Sequence, residues 1–168
     1  MRKVLVLVVV LAVAGCGEPP PKETPEQAAA RHKREEIRAK RTQEAKDLGV
    51  VLALELQKIA VDYFASGEKG VDAAKWEPFL SHPELVEAVI IKLEDFRPTL
   101  GASARGTAPG IKKAGQSEHL SGGVVFTKGS AVIAGAERPI WIFEMPIMKT
   151  EGERRGQAMV LLAEPKFE

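Results

Sequence analysis

Residues 137–163, ERPIWIFEMPIMKTEGERRGQAMVLLA, decide the fold of this chain. In the run Ile140-Trp141-Ile142-Phe143-Glu144-Met145, Trp141, Phe143 and Met145 fall on one face of a strand and Ile140 and Ile142 on the other. Residues 150–156 are a polar turn, and 158–163 make a second strand that is apolar on both faces. Strands of this kind need cover on each side. Pro146 removes a ladder donor, which predicts a bulge or a locally unpaired edge. Just upstream, 124–127 and 131–134, with a turn at Lys128-Gly129 and another near Gly135, extend the pattern into an antiparallel meander.

One cover for this sheet is written earlier in the chain. Leu48, Leu52, Leu56, Ile59 and Tyr63 recur at helical spacing, with Val51, Ala60 and Phe64 widening the stripe and Ser66-Gly67 as a stop. The helix starts upstream at Thr24-Pro25-Glu26-Gln27, where Thr24 is an N-cap, Pro25 occupies the first helical position and Gln27 closes a capping box. Residues 31–47 are densely charged, seven basic against four acidic, and read as a solvated stalk or as a docking element for anionic phosphates or a partner helix. A continuous helix over 25–65 would be about 60 Å long.

Other segments are less regular. Residues 67–83 hold two glycines and two prolines and allow at most a short helix around 72–76. Residues 85–96 combine a capping box at Ser81 and Glu84 with the β-branched run Val89-Ile90-Ile91, and predict a short helical turn leading into a strand. Residues 101–123 carry six glycines and no periodicity. They read as a long loop or a set of turns and as the gate of any binding site. The other sheet face would be covered by 67–83 and 101–123, by a second subunit in a homodimer, or around a ligand.

The predicted class is α+β: a long N-terminal helix packed on a single antiparallel sheet of about five strands. This order of elements, with Pro146-Ile147, a polar turn, Gly156 and an apolar last strand, resembles the extracytoplasmic PAS-like or Cache-type sensor domains of bacteria over residues 45–164. That resemblance implies a domain that binds a ligand or a partner.

At the start of the chain Arg2 and Lys3 precede an apolar run, 4–13, of about ten residues, half of the roughly 20 a spanning helix needs. Val13-Ala14-Gly15-Cys16 then resembles a bacterial lipoprotein processing site, which implies removal of a signal peptide at 1–15 and lipidation of Cys16. Residues 16–47 follow as a lipidated, proline-rich linker and charged stalk, and 48–168 as the PAS-like domain. The expected location is the bacterial cell envelope, facing the periplasm or exterior. Gly17, where aspartate would mark inner-membrane retention in the best-known Gram-negative sorting rule, points to the outer membrane. Without 1–15 the chain keeps 22 basic and 23 acidic residues, a balance that does not point to nucleic acid. Cys16 is its only cysteine, leaving no thiol for a disulfide or a cysteine metal site.

No constellation of catalytic residues emerges. His32, His82 and His119 are dispersed, and Ser117-Glu118-His119 are neighbours in sequence that do not converge as nucleophile, base and orienter. Neither an enzyme activity nor a cofactor is expected. Tyr63, Trp141 and Phe143 would line a small-molecule pocket with Arg97, Arg105 or Lys149 as polar contacts, or simply form core and rim. Two functions follow: a lipid-anchored, sensor-like domain that binds a small ligand or partner, or a structural lipoprotein that docks to another envelope protein through its charged helix. A cavity between the sheet and residues 101–123 favours the first. Two sheet faces closed by the protein's own side chains favour the second.

Overall fold

The structure, a computed structural model, describes residues 23–95, 97–107, 110–148 and 154–166. Residues 1–22, with the expected signal peptide, Cys16 and most of the proline-rich linker, and Lys149 lie outside the described residues. The chain divides into two compact units, residues 1–35 and 36–168.

Helix α1 (Pro25–Ala65) is an element of 41 residues. In the first unit its start carries the capping box read from the sequence. The Thr24 N–H donates to Gln27 Oε1 at 3.0 Å and the Gln27 N–H to Thr24 Oγ1 at 3.3 Å, so donors that a helix start leaves orphaned are paired reciprocally. Arg31 pairs with Glu23 at 3.3 Å, and none of residues 23–35 is buried.

In the second unit the helix gains an apolar stripe. Leu52, Leu56, Ala60, Tyr63 and Phe64 are buried in the main core, together with Gly49 and Val50 at its near end. Gly49 is the point of closest approach: a Cβ added there would lie 2.2 Å from Phe143 Cζ, so the helix backbone rests on an aromatic ring of the sheet. Helix α2 (Ala73–Leu80) opens on Asp72, whose Oδ1 accepts the Ala74 N–H at 3.0 Å, and it buries Trp76 and Phe79. It passes the Trp76 limit read from the sequence. Pro78 lies on its exposed side only two residues before the helix ends.

Six strands form one antiparallel sheet: β1 (Leu85–Glu94), β2 (Arg97–Ser103), β3 (Ile111–His119), β4 (Val125–Ile133), β5 (Ala136–Met148) and β6 (Arg154–Ala163). Their spatial order is β2-β1-β6-β5-β4-β3. Every consecutive pair is hydrogen-bonded except β2 and β3, and β6 pairs with β1. The chain thus traces a ring of strands opened at a single place.

The class is α+β, but the five-stranded, PAS-like sheet expected from the order of elements is corrected to six strands. Two misreadings produce the difference. The stretch taken as a loop over 101–123 contains the end of β2 and the whole of β3, an edge strand whose residues 112–119 are all exposed. A strand with no buried face leaves no period to read. Second, Lys128-Gly129 is not a turn but the middle of β4, where a Cβ on Gly129 would sit 2.4 Å from the Lys112 carbonyl oxygen. Glycine marks close backbone approach there rather than a reversal. At 82–85 the expected helical turn is a single reversal, with the Leu85 N–H donating to the His82 carbonyl at 3.1 Å, and β1 starts at once.

The faces of β5 divide as the alternation predicts. Trp141, Phe143, Met145 and Ile147 join the helices in the main core with Ala158, Val160 and Leu162 of β6. Ile140 and Ile142 face the other way and form a smaller core with Val89, Ala131, Met159 and Leu161. Pro146 pairs in register with Gln157 on the β6 side and lies past Glu144, the last β5 residue opposite β4, so its missing N–H costs no bond on that side.

Candidate functional site at the strand ends

Arg105 and Thr107, in the crossover from β2 to β3, are held on the side of the smaller core by one buried carboxylate. Glu87 stands opposite Leu161, on the side of the smaller core, and is 0 % exposed. Its Oε1 accepts the Ala88 N–H at 3.0 Å and the Arg105 N–H at 2.9 Å, and its Oε2 accepts the Thr107 N–H at 3.1 Å and the Thr107 hydroxyl. A buried charge is tolerated only when donors replace water in this way. At the far end of the crossover the Gly110 carbonyl accepts the Val132 N–H at 3.3 Å.

The same end of the sheet carries two open clefts, which share Pro83 and residues 163–166 as a common wall. The cleft on the α1 side has a volume of about 520 Å³ and is lined by Arg41, Glu44, Ala45 and Leu48 of the helix, with Leu162 behind. The cleft on the crossover side, about 570 Å³, is walled by Val86, Ile133 and Pro139, and carries Arg105, Arg138 and Lys166. Among the described residues these three cations form no ion pair or side-chain hydrogen bond. Nearby carboxylates are engaged elsewhere. Glu164 accepts from Trp141 Nε1 at 3.4 Å and Lys128 Nζ at 3.5 Å, and Glu137 from Ser130 Oγ at 2.6 Å and Lys112 Nζ at 3.4 Å. The Ser130 hydroxyl, followed by the Lys112 charge, holds the Glu137 carboxyl below its usual range.

The residues singled out in the sequence do not converge on one cavity. Phe143 is buried under Gly49, and Trp141 is buried in the main core against Phe126, with ring centroids 5.1 Å apart. Tyr63 is buried too, its hydroxyl donating to the Gly101 carbonyl at 3.4 Å, although it also borders a third cleft, of about 440 Å³, between α1 and α2. Desolvation raises its phenol above the usual value, against an opposing pull from Lys92. Arg97 is exposed at the start of β2, and Arg105 lines the crossover-side cleft. Lys149 lies outside the described residues.

Sequence reasoning missed Arg138, Lys166 and Glu87. A lone arginine before a proline, a lysine near the end and a glutamate in an apolar run give no motif. It also missed a polar cluster on the crossover face. Glu144 receives Lys113 Nζ at 2.6 and 2.7 Å and the Gln157 amide, and Gln157 in turn receives Arg154. A second, half-buried cluster joins Lys92 to Glu94 at 2.6 Å and Glu68 at 3.1 Å, and these carboxylates raise the lysine above its usual value. Among the described residues no group of three His, Cys, Asp or Glu stands at metal-ligating distance, and no helix is long and apolar enough to cross a membrane. No protein-family model matches this chain, and no curated protein matches it.

Proposed function

We propose that this chain is a non-catalytic lipoprotein of the bacterial cell envelope, anchored through Cys16, that docks another envelope protein through the charged stretch of α1 around residues 31–47. The observation that carries this reading is the filling of the sheet. Both faces are closed by the protein's own buried side chains, Trp141, Phe143 and Val160 on one and Ile140, Ile142 and Leu161 on the other. A sheet sealed on both sides serves as a rigid head and needs neither an internal ligand nor a second subunit to complete it. Docking then falls to exposed surface, and the charged stretch supplies it. Arg34 and Lys40 are exposed, Lys40 lying 3.9 Å from Glu44 one turn along the helix, and both can reach a partner's carboxylates or anionic phosphates, at a surface where the anchor fixes location and raises effective concentration. The outer membrane is the proposed home, from Gly17 after the attachment cysteine.

Photo-crosslinkers at positions 34 and 40 of the chain expressed in cells test the reading, with position 61, exposed later on α1, as the control. A discrete crosslinked protein from 34 or 40 and none from 61 is the expected result. Equal, diffuse labelling from all three overturns the docking role. Metabolic labelling with a fatty acid tests the anchor separately: Cys16→Ser should lose both label and membrane attachment, and a variant that keeps them removes the lipoprotein assignment.

A further inference from the structure

We propose that the crossover-side cleft at the strand ends is a binding site for an amphiphilic anion, a phosphate or carboxylate head on an apolar body. The inference is independent of the docking role of α1, since it concerns a different surface and other residues.

Charge gives the first argument. Lys92, Lys112, Lys113 and Lys128 each sit within 3.5 Å of a carboxylate. Arg105, Arg138 and Lys166 line one cleft and have no such partner among the described residues. The nearby acidic groups are Glu137, held by Lys112 and Ser130, and Glu164 on the cleft wall, held by Lys128 and Trp141. Three cations against one lining carboxylate, Glu164, leave the concavity with a positive balance that favours an anion. Two of them are guanidinium groups, whose planar forks match the oxygens of a carboxylate or phosphate.

Shape gives the second. Between the cations the wall is Val86, Ile133 and Pro139, with Pro83 and Pro165 at the shared rim. Prolines present no N–H, so this wall offers little to a purely hydrophilic anion. A neutral apolar ligand would leave three cations partly desolvated and unpaired, which is unfavourable. Only a molecule with both parts satisfies the cleft, whose volume of about 570 Å³ lies within the usual size of small-ligand sites. Arg105 is also placed in advance: Glu87 binds its backbone N–H at 2.9 Å, and among the described residues nothing engages its guanidinium. The carboxylate thus orders the crossover before a ligand arrives, which lowers the cost of binding.

The test uses the full-length chain carrying Cys16→Ser, with decyl phosphate as the probe and decanol and inorganic phosphate as the half-probes. Calorimetric titration should show saturable binding of decyl phosphate, with each half-probe weaker by about tenfold or more. Arg138→Glu and Arg105→Ala, both at exposed positions, should weaken decyl phosphate by a similar factor while circular dichroism and melting stay unchanged. Phosphatidylglycerol against phosphatidylcholine vesicles separates the sources. Arg138-dependent co-sedimentation with the anionic vesicles assigns the head to a bilayer lipid, and decyl phosphate binding without co-sedimentation assigns it to a free amphiphile. Binding of decanol as tight as that of decyl phosphate, unchanged binding in a folded Arg138→Glu variant, or no binding of decyl phosphate overturns the proposal.

Discussion

Replacing Gly49 by alanine should destabilise this protein, although the same exchange in an ordinary helix stabilises it. In the interior of an exposed helix glycine is worse than alanine by about 1 kcal/mol, because it gives up more backbone freedom on folding. Here the added methyl would lie 2.2, 2.3 and 2.4 Å from Cζ, Cε1 and Cε2 of Phe143. Carbon atoms in contact sit at about 3.5–4.0 Å, so the helix or the ring must give way by more than an ångström. The ring has nowhere to go: Phe143 is fully buried and stacked beside Phe126 with centroids 5.3 Å apart. Overpacking of this kind typically costs about 1–3 kcal/mol and more where neighbours cannot relax. With neighbours this confined the upper part of that range, about 2–3 kcal/mol, applies, and against a gain near 1 kcal/mol the net expectation is a loss of about 1–2 kcal/mol, and more if the helix lifts off the sheet and uncovers Leu52 and Leu56. Urea melts of Gly49→Ala, Phe143→Leu and the double variant provide the measurement. Phe143→Leu alone should be destabilising, and in its background Gly49→Ala should cost less, a favourable coupling of about 0.5–3 kcal/mol. A Gly49→Ala protein as stable as the parent, or strictly additive losses, would refute the close approach of helix and sheet.

Three further outcomes are expected. Glu87→Gln turns an amide N–H₂ toward donors that now meet an oxygen, so it should cost about 1–3 kcal/mol and speed hydrogen exchange at Arg105 and Thr107; unchanged exchange there rules out the carboxylate as the anchor of the crossover. Leu56→Ala should cost about 2–5 kcal/mol while Arg34→Ala, in the exposed stretch, shifts stability by no more than about 0.5 kcal/mol; similar losses in urea melts would contradict the division of α1 into packed and unpacked stretches. Tyr63, the only tyrosine, should ionise above the usual value of 10.0 in a titration followed at the tyrosinate absorbance. Because the folded-state value is raised, stability is full below the unfolded-state value and is lost as pH rises through the folded one; a phenol titrating at or below that of the urea-unfolded chain would contradict its burial.

What was legible in the sequence was whatever repeats with a period. The stripe Leu52, Leu56, Tyr63 and the alternation of residues 140–145 each bury against something, and burial imposes the period. β3 was illegible for the opposite reason. Its residues 112–119 are exposed, and pairing with β4 rather than its own pattern makes it a strand. Gly129 misled because glycine serves both to reverse a chain and to let two backbones meet, and only the neighbouring Lys112 carbonyl distinguishes the uses. The crossover-side cleft was the least legible feature. Arg105, Arg138 and Lys166 come from three separate segments, and their sharing of a cavity is a property of the topology. The aromatic residues chosen for a pocket were well chosen as core residues, since an aromatic side chain carries the same signal in either role.

The ring of strands opened between β2 and β3 sets when this protein can fold. The centre of its sheet is β6, the last of the six strands, which joins β1 across pairs such as Leu85 with Leu162. Until residues 154–163 are present, the sheet exists only as two unconnected pieces, the β1–β2 hairpin and the β3–β4–β5 meander, and neither can complete the core beneath α1. Pairings so distant in sequence form late and slowly. A chain emerging progressively from a ribosome would therefore be unable to close its sheet until residues 154–163 had emerged.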